Sequence, residues 1–173
     1  MGSVKIGPNF FRNELKEYAD WYWAYVREAA QNCLDARGST ICRMDVSETG
    51  GMTTIVFAND GEPMTEEILV DKLLAIGESG KRFEGSVGGF GRAKVILLLA
   101  HKSYHVRTGT LEVTGAGGEY KLQCGLPNFS GTRSTVVIEG YHTEAILQAI
   151  RTFIGFTQWD GVFVVNGEEM KGD

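Results

Sequence analysis

Three polar residues on one stretch of predicted helix, Glu28, Asn32 and Asp35, are of types that can do chemistry. Spacings of four and three residues place them within an arc of about 60° on a helix. A carboxylate can take a proton from water, and an amide oxygen can bind a hard cation such as Mg²⁺. A solvated polar face has the same pattern, so the spacing alone leaves both interpretations open.

A second polar cluster, Asn59-Asp60-Gly61-Glu62-Pro63-Met64, follows an apolar predicted strand at 54–57. An amide or carboxylate at a strand end can accept the exocyclic amine of a purine, and Gly61 lets a flat base approach the backbone. Because Asn, Asp, Gly and Pro all form turns, a plain turn is the alternative.

Glycine is concentrated in residues 77–91, which hold six of the 23 glycines of the chain. From Lys81 to Arg107 there are six Lys or Arg and one acid, a local charge of +5 in a chain of net charge −5. A glycine-rich segment that opens a predicted helix at Arg92 offers free backbone N–H groups to an anion. No Walker A loop or GxGxxG fits, and a flexible loop is the alternative. The candidate phosphate contacts are Ser79, Lys81, Gly88, Gly89, Phe90, Gly91, Arg92, Ala93 and Lys94.

A fourth candidate is Gly131-Thr132-Arg133-Ser134-Thr135, which leads into a predicted strand. The hydroxyls of Thr132 and Thr135 could reach a base, although threonine also simply favours strands. His101 and His105 are four apart, but they lack further residues at zinc-ligand spacing.

The elements that must position these residues follow from hydrophobic periodicity and turn residues. We predict helices at 13–36, from Thr65 to about Ile76, at 92–100 and from a capping Thr143, and strands at 40–47, 52–58, 102–108, 111–114, 119–124, 133–139 and 162–165. Turns are predicted at 48–51, 115–118 and 166–167. This order predicts an α+β two-layer sandwich, with a mostly antiparallel mixed sheet and helices on one face.

Length and composition predict one domain over residues 12–173, preceded by an arm at 1–11 that carries Phe10 and Phe11. Three cysteines without a CxxC pair favour a reducing cytoplasm over a disulfide framework. Neither a signal peptide nor a membrane span is predicted. The acidic net charge argues against direct nucleic-acid binding by this domain alone.

The order of the motifs resembles the ATP-binding domain of the gyrase B, heat-shock chaperone, histidine kinase and MutL proteins, the GHKL or Bergerat-fold ATPases. Glu28-Ala-Ala-Gln-Asn32-Cys-Leu-Asp35-Ala36 is similar to their E-x-x-x-N-x-x-D-A box. The 59–64 cluster resembles D-x-G-x-G-M, and Gly88-Gly89-Phe90-Gly91-Arg92-Ala93 resembles G-x-F-G-x-G. Gly131-Thr132 resembles the Gly-Thr element, and the resemblance spans about residues 12–170.

The resemblance implies Mg²⁺-dependent ATP binding and slow hydrolysis, with ATP between the sheet and a lid at 77–94. Glu28 would be the general base, Asn32 the magnesium ligand and Asp35 a positioning residue. Asn59 stands where the family has an aspartate, so either Asn59 or the following Asp60 reads the adenine. Gly61, Met64, Thr132 and Thr135 complete the expected nucleotide site.

The resemblance also implies partners. The N-terminal arm is expected to serve a homodimer, and a following domain or a partner to supply a cation to the γ-phosphate. Three alternatives stay open: a nucleotide-binding regulatory module without significant turnover, a histidine-kinase catalytic domain, and a relative that binds only protein. The ending Asp-Ala of the first box argues against the kinase.

Overall fold

A computed structural model describes residues 2–3, 21–70, 103–116 and 119–170. Within these ranges the core is one mixed sheet. Its strands are β1 (Gly2–Ser3), β2 (Ile41–Thr49), β3 (Met52–Asn59), β4 (Ser103–Gly109), β5 (Leu111–Ala116), β6 (Glu119–Gln123), β7 (Phe129–Glu139), β8 (Val162–Val165) and β9 (Glu168–Met170). The strand order is β1-β6-β5-β4-β7-β3-β2-β8-β9. The β2–β8 pair is parallel, and the other pairs of described strands are antiparallel.

Three helices belong to the described part of the chain: α1 (Trp21–Asp35), α2 (Glu66–Leu69) and α3 (Thr143–Phe156). Helix α1 buries Val26, Ala30 and Cys33, whose spacing of four and three residues forms one apolar stripe. In α3, Ile146, Ile150 and Phe153 face inward, as predicted. The two long helices contact each other and strands β2 and β3. The predicted α+β class, with helices packed on a mostly antiparallel mixed sheet, is therefore confirmed for the described residues.

Strand alternation gives the sheet a covered face and an open face. On β2, Cys42, Met44 and Val46 are buried, whereas the residues between them are exposed. Residues that pair across neighbouring strands point to the same face, so each face carries a fixed set of side chains from all the central strands. Register then decides which polar residues share the covered face with α1.

The turn predicted at 166–167 is confirmed, and the turn predicted at 48–51 is narrowed to 50–51, because Glu48 and Thr49 belong to β2 and pair with β3. Both turns join adjacent strands with two-residue loops. Gly50 and Gly51 connect β2 to β3, and Asn166-Gly167 connects β8 to β9. Asn166 and Gly167 have φ of 48° and 83°, the left-handed values that a type I′ hairpin needs.

Other predicted boundaries are corrected. Gly115 and Ala116 belong to strand β5 and not to a turn, because the Tyr104 ring on β4 lies over the bare Gly115 backbone. Strand β7 begins at Phe129 and not at 133, since Asn59 and Gly109 supply pairing partners before that point. Helix α3 starts after an N-cap at His142, whose carbonyl accepts the Ile146 N–H, so Thr143 is not the cap.

Several predictions lie outside the described residues: the helix segment at 13–20, the end of the helix after Thr65, the helix at 92–100, the arm with Phe10 and Phe11, and His101. Among the described residues, no helix has the length and apolar character needed to cross a bilayer.

Candidate functional site

A cavity of about 320 Å³ lies between α1 and the covered face of strands β3, β4 and β7. The segment from Glu62 to Ile68 forms part of its edge. Its volume is at the lower end of the range typical of small-molecule sites. The polar lining includes Glu28, Asn32, Asp35, Asn59, Thr132 and Ser134. The apolar lining includes Tyr25, Cys33, Phe57, Met64, Tyr104 and Val106.

Helix α1 supplies one wall, which we call the helix wall: Glu28, Asn32 and Asp35. All three residues line the cavity, as their helical spacing predicts. Glu28 is only 3% exposed, Asn32 is half-buried, and Asp35 lies at the exposed end. The Gln31 side chain donates a 2.9 Å hydrogen bond to the Asp35 carboxylate. The helix wall therefore runs from a buried carboxylate to a solvated one.

Two tyrosines, Tyr25 and Tyr104, line the apolar interior of the cavity. Burial raises the pKa of Tyr25, and the nearby Cys33 and Glu28 add to the effect. Burial also raises the pKa of Tyr104 to about 12. The Tyr25 and Phe57 rings meet edge to face, with centroids 5.8 Å apart. Glu28 thus faces a largely apolar space, where a carboxylate can act as a proton acceptor.

The opposite side, which we call the strand wall, has Asn59, Thr132 and Ser134 in the cavity lining and the fully buried Thr108 behind them. Asn59 ends β3, Thr108 lies near the end of β4, and Thr132 and Ser134 are on β7. The register pairs Asn59 with Thr132, and Thr132 with Thr108, so three strands bring these side chains together. The strand wall carries amide and hydroxyl groups and no charge.

A chain of hydrogen bonds joins the strand wall to the loop that follows β3. The Met64 N–H donates to the fully buried Thr108 hydroxyl at 2.8 Å. The Thr108 and Thr132 hydroxyl oxygens are 2.7 Å apart, and either can be the donor. Asn59 Oδ1 accepts the Gly61 N–H at 2.9 Å. These bonds fix both the loop and the polar groups that line the cavity.

Asp60 serves the loop and does not line the cavity. Its carboxylate accepts the backbone N–H groups of Thr40 and Ile41 at 2.7 and 2.9 Å, and also the Thr40 hydroxyl. Burial alone raises the pKa of Asp60, but these hydrogen bonds outweigh it and hold the pKa below its ordinary value. The carboxylate therefore ties the loop to the start of β2.

Two glycines permit the close packing of this loop. A Cβ on Gly61 would come within 2.7 Å of the Ala36 side chain, at the end of α1. Gly131 has φ of +86°, and a Cβ there would collide with the Asn59 carbonyl oxygen. The Gly-Thr element of the sequence is thus a place where β7 passes directly against the end of β3.

The predicted site residues now divide into three groups. Glu28, Asn32, Asp35, Asn59, Met64 and Thr132 are brought together around one cavity. Thr135 also contributes to the lining, although its cross-strand neighbours Val56 and His105 put its side chain on the open face. Asp60 and Gly61 support the loop from outside the lining. The remaining predicted contacts lie outside the described residues: Ser79, Lys81, Gly88, Gly89, Phe90, Gly91, Arg92, Ala93 and Lys94.

Thr108 and Tyr104 were not predicted as site residues, and Ser134 was named only as part of the 131–135 candidate segment. The alternation of Tyr104, Val106 and Thr108 places them on one face of a strand, and this pattern is visible in the sequence. The sequence does not show which strand pairs with β7, so it does not predict the contact between Thr108 and Thr132.

The helix wall has oxygen donors suited to magnesium. Mg²⁺ usually binds one or two protein oxygens together with substrate phosphates and water, so Asn32 with a nearby carboxylate fits it. No group of three or more His, Cys, Asp and Glu suited to a metal occurs among the described residues. His105 is instead paired with Glu112 at 2.9 Å, on the open face.

The cavity has an apolar interior, a neutral polar wall, and a buried acid and an amide on the other wall. Such a cavity can bind a polar aromatic ligand, with the buried acid next to it as a proton acceptor. Neither a scan of protein-family models nor a search of curated proteins gave a match to this chain.

Proposed function

We propose that the protein binds ATP with Mg²⁺ and hydrolyses it slowly, in a domain of the Bergerat type. The observation that carries this proposal is the position of Glu28 and Asn32 on one wall of the cavity, opposite Asn59 and Thr132. The resemblance to the GHKL ATPases rests on these same residues in the same order. Their convergence on one cavity is what a shared nucleotide site requires.

The adenine end of the site is assigned to the strand wall. Of the two candidates for reading the base, the geometry favours Asn59, because it lines the cavity. The Asp60 carboxylate is taken up by Thr40 and Ile41, on the far side of the loop. The apolar interior around Phe57 and Val106 provides the surface that a purine ring needs.

The helix wall is assigned to the phosphates. Glu28 would orient and deprotonate the attacking water, because it is a buried acid at the cavity surface. Asn32 would hold Mg²⁺, which when bound neutralises charge on the phosphates. Asp35, solvated and bonded to Gln31, suits a positioning role.

The nucleotide state is proposed to control lid closure or dimerisation. The lid contacts at 77–94, the dimer contact of the arm and the cation from a following domain or partner stay predictions. None of these three predictions involves the residues that line the cavity.

The test is a Glu28→Gln variant compared with wild type by calorimetric titration of Mg²⁺–ATP and by release of labelled phosphate. We expect turnover to fall by about 10²–10⁴-fold, because general-base catalysis contributes that much. The ATP Kd should change by less than about threefold, since Gln keeps the shape of Glu. Asp45→Asn is the matched control, because Asp45 is an exposed carboxylate on the open face.

The outcomes separate the alternatives. Equal turnover in Glu28→Gln and wild type removes Glu28 as the base. ATP binding without wild-type turnover makes the domain a regulatory module, and phosphate transfer to a histidine of a partner makes it a kinase. Absence of Mg²⁺–ATP binding refutes the nucleotide site itself.

A further inference from the structure

The polar groups of the strand wall can each donate or accept a hydrogen bond. Asn59 carries an amide, and Thr108, Thr132 and Ser134 carry hydroxyls, whereas an ionised carboxylate can only accept. Of the two carboxylates in the loop after β3, Asp60 is outside the cavity lining and faces Thr40 and Ile41. Glu62 is an exposed residue at the edge of the cavity and is not part of the strand wall. The described part of the strand wall can therefore act either as donor or as acceptor in hydrogen bonds to a ligand.

The Asn59 side chain offers a ligand both an acceptor and a donor. Oδ1 has two lone pairs, and the Gly61 N–H takes one of them at 2.9 Å. The amide nitrogen carries two hydrogens. The side chain can thus accept from an amino group at C6 of a purine through Oδ1, or donate to a carbonyl oxygen there through Nδ2.

The two threonines allow a matching reversal at the neighbouring ring position. Thr108 already accepts the Met64 N–H, and its bond with Thr132 can run in either direction. When Thr108 donates to Thr132, the Thr132 proton is available to an acceptor such as adenine N1. When Thr132 donates to Thr108, its lone pairs are available to a donor such as the N1–H of a 6-oxopurine.

We infer that this site accepts 6-oxopurine nucleoside triphosphates as well as ATP, with Asn59 as the residue that relaxes the choice of base. The inference rests on the proposed nucleotide site and deepens it by naming the substrate class. A carboxylate at position 59 would favour the amino group through a charged hydrogen bond and repel the C6 carbonyl oxygen. The amide does neither.

The experiment compares the Kd of ATP and inosine triphosphate, both with Mg²⁺, in wild type and in Asn59→Asp. The two nucleotides share the sugar and phosphates and differ only at the C6–N1 edge. We expect the two wild-type affinities to lie within tenfold of each other. In Asn59→Asp the ratio should move toward ATP by at least tenfold, because Asp can still accept the Gly61 N–H but can no longer donate.

Two further variants complete the design. Thr114→Val, at an exposed position of β5, is the control and should leave both affinities unchanged. Thr132→Val should weaken both nucleotides to a similar degree, which keeps the reversal testable if Asn59→Asp fails to fold.

A wild-type preference for ATP of more than tenfold overturns the inference, and so does an unchanged ratio in a folded Asn59→Asp. Loss of only one of the two nucleotides in Thr132→Val contradicts the reversible hydroxyl pair. If ATP binds wild type and inosine triphosphate does not, only the inference fails. If neither nucleotide binds wild type, the proposed function fails as well.

Discussion

The two walls of the cavity differ in charge and in how the chain builds them. The helix wall is acidic and comes from eight consecutive residues, Glu28–Asp35, that one helix places side by side. The strand wall is neutral and joins residues from β3, β4 and β7, up to 75 positions apart in the chain. In the proposed function the helix wall performs the reaction and the strand wall selects the base. The difference shows that the grouping of the helix-wall residues can be predicted from local spacing, whereas the grouping of the strand-wall residues depends on long-range strand pairing.

The largest expected effect tests the packing that builds the strand wall. Gly131→Ala should lower the free energy of unfolding by about 3–5 kcal/mol, through a positive φ and a collision with the Asn59 carbonyl oxygen. Urea unfolding measures the loss. Gly125→Ala is the matched control, because Gly125 has φ of +73° with open space around it, and it should cost about 1–2 kcal/mol. Equal losses of unfolding free energy in the two variants would contradict the close contact between Gly131 on β7 and the Asn59 carbonyl on β3.

A smaller effect is expected at Asp60, which supports the loop below the strand wall. Asp60→Ala should destabilise the protein by about 1–2 kcal/mol at pH 7, a value reduced by solvent screening of this exposed carboxylate. Its lowered pKa makes the contribution full above the unfolded-state pKa of about 3.9. The contribution is then lost as the pH falls through the lower folded-state pKa.

Urea unfolding of wild type and Asp60→Ala at pH 7 and in acid measures how the stabilisation by Asp60 changes with pH. The difference between the two proteins should shrink in acid. A difference that grows on acidification would contradict the hydrogen bonds from Thr40 and Ile41.

The smallest effect is expected on the open face, away from both walls. The His105–Glu112 pair is about one-third exposed on each side, so its coupling energy in a double-mutant cycle should be about 0.5 kcal/mol or less. Nucleotide affinity should not change in either single variant. A marked loss of affinity would show that the two faces of the sheet are not independent.

The sequence was most informative where structure is local. The spacing of Glu28, Asn32 and Asp35 predicts that they share one side of a helix, although a solvated face has the same spacing. The turns predicted at 48–51 and 166–167 follow from their residue types, and the structure narrows the first of them to 50–51. The role of Asp60 could not be predicted, because an aspartate after a strand can either bind a ligand or stabilise the loop. The cap at His142 was missed because threonine is the usual capping residue.

The strand wall was only half predicted for a related reason. Thr132 was found through a resemblance, but its partner Thr108 depends on β4 lying beside β7, which no local pattern specifies. Likewise Gly115 was taken for a turn because only the neighbouring Tyr104 ring explains a glycine within that strand.

The loop after β3 is also connected to β8, two strands away in the sheet. The Glu62 N–H donates to the Arg37 carbonyl at 2.8 Å, and Asp60 receives the Thr40 N–H. The Thr40 carbonyl in turn accepts the Val162 N–H at 2.9 Å, at the start of β8. Hydrogen bonds therefore join the cavity-side loop, the residue before β2 and the start of β8, so a movement of the loop would act on β8 through the backbone.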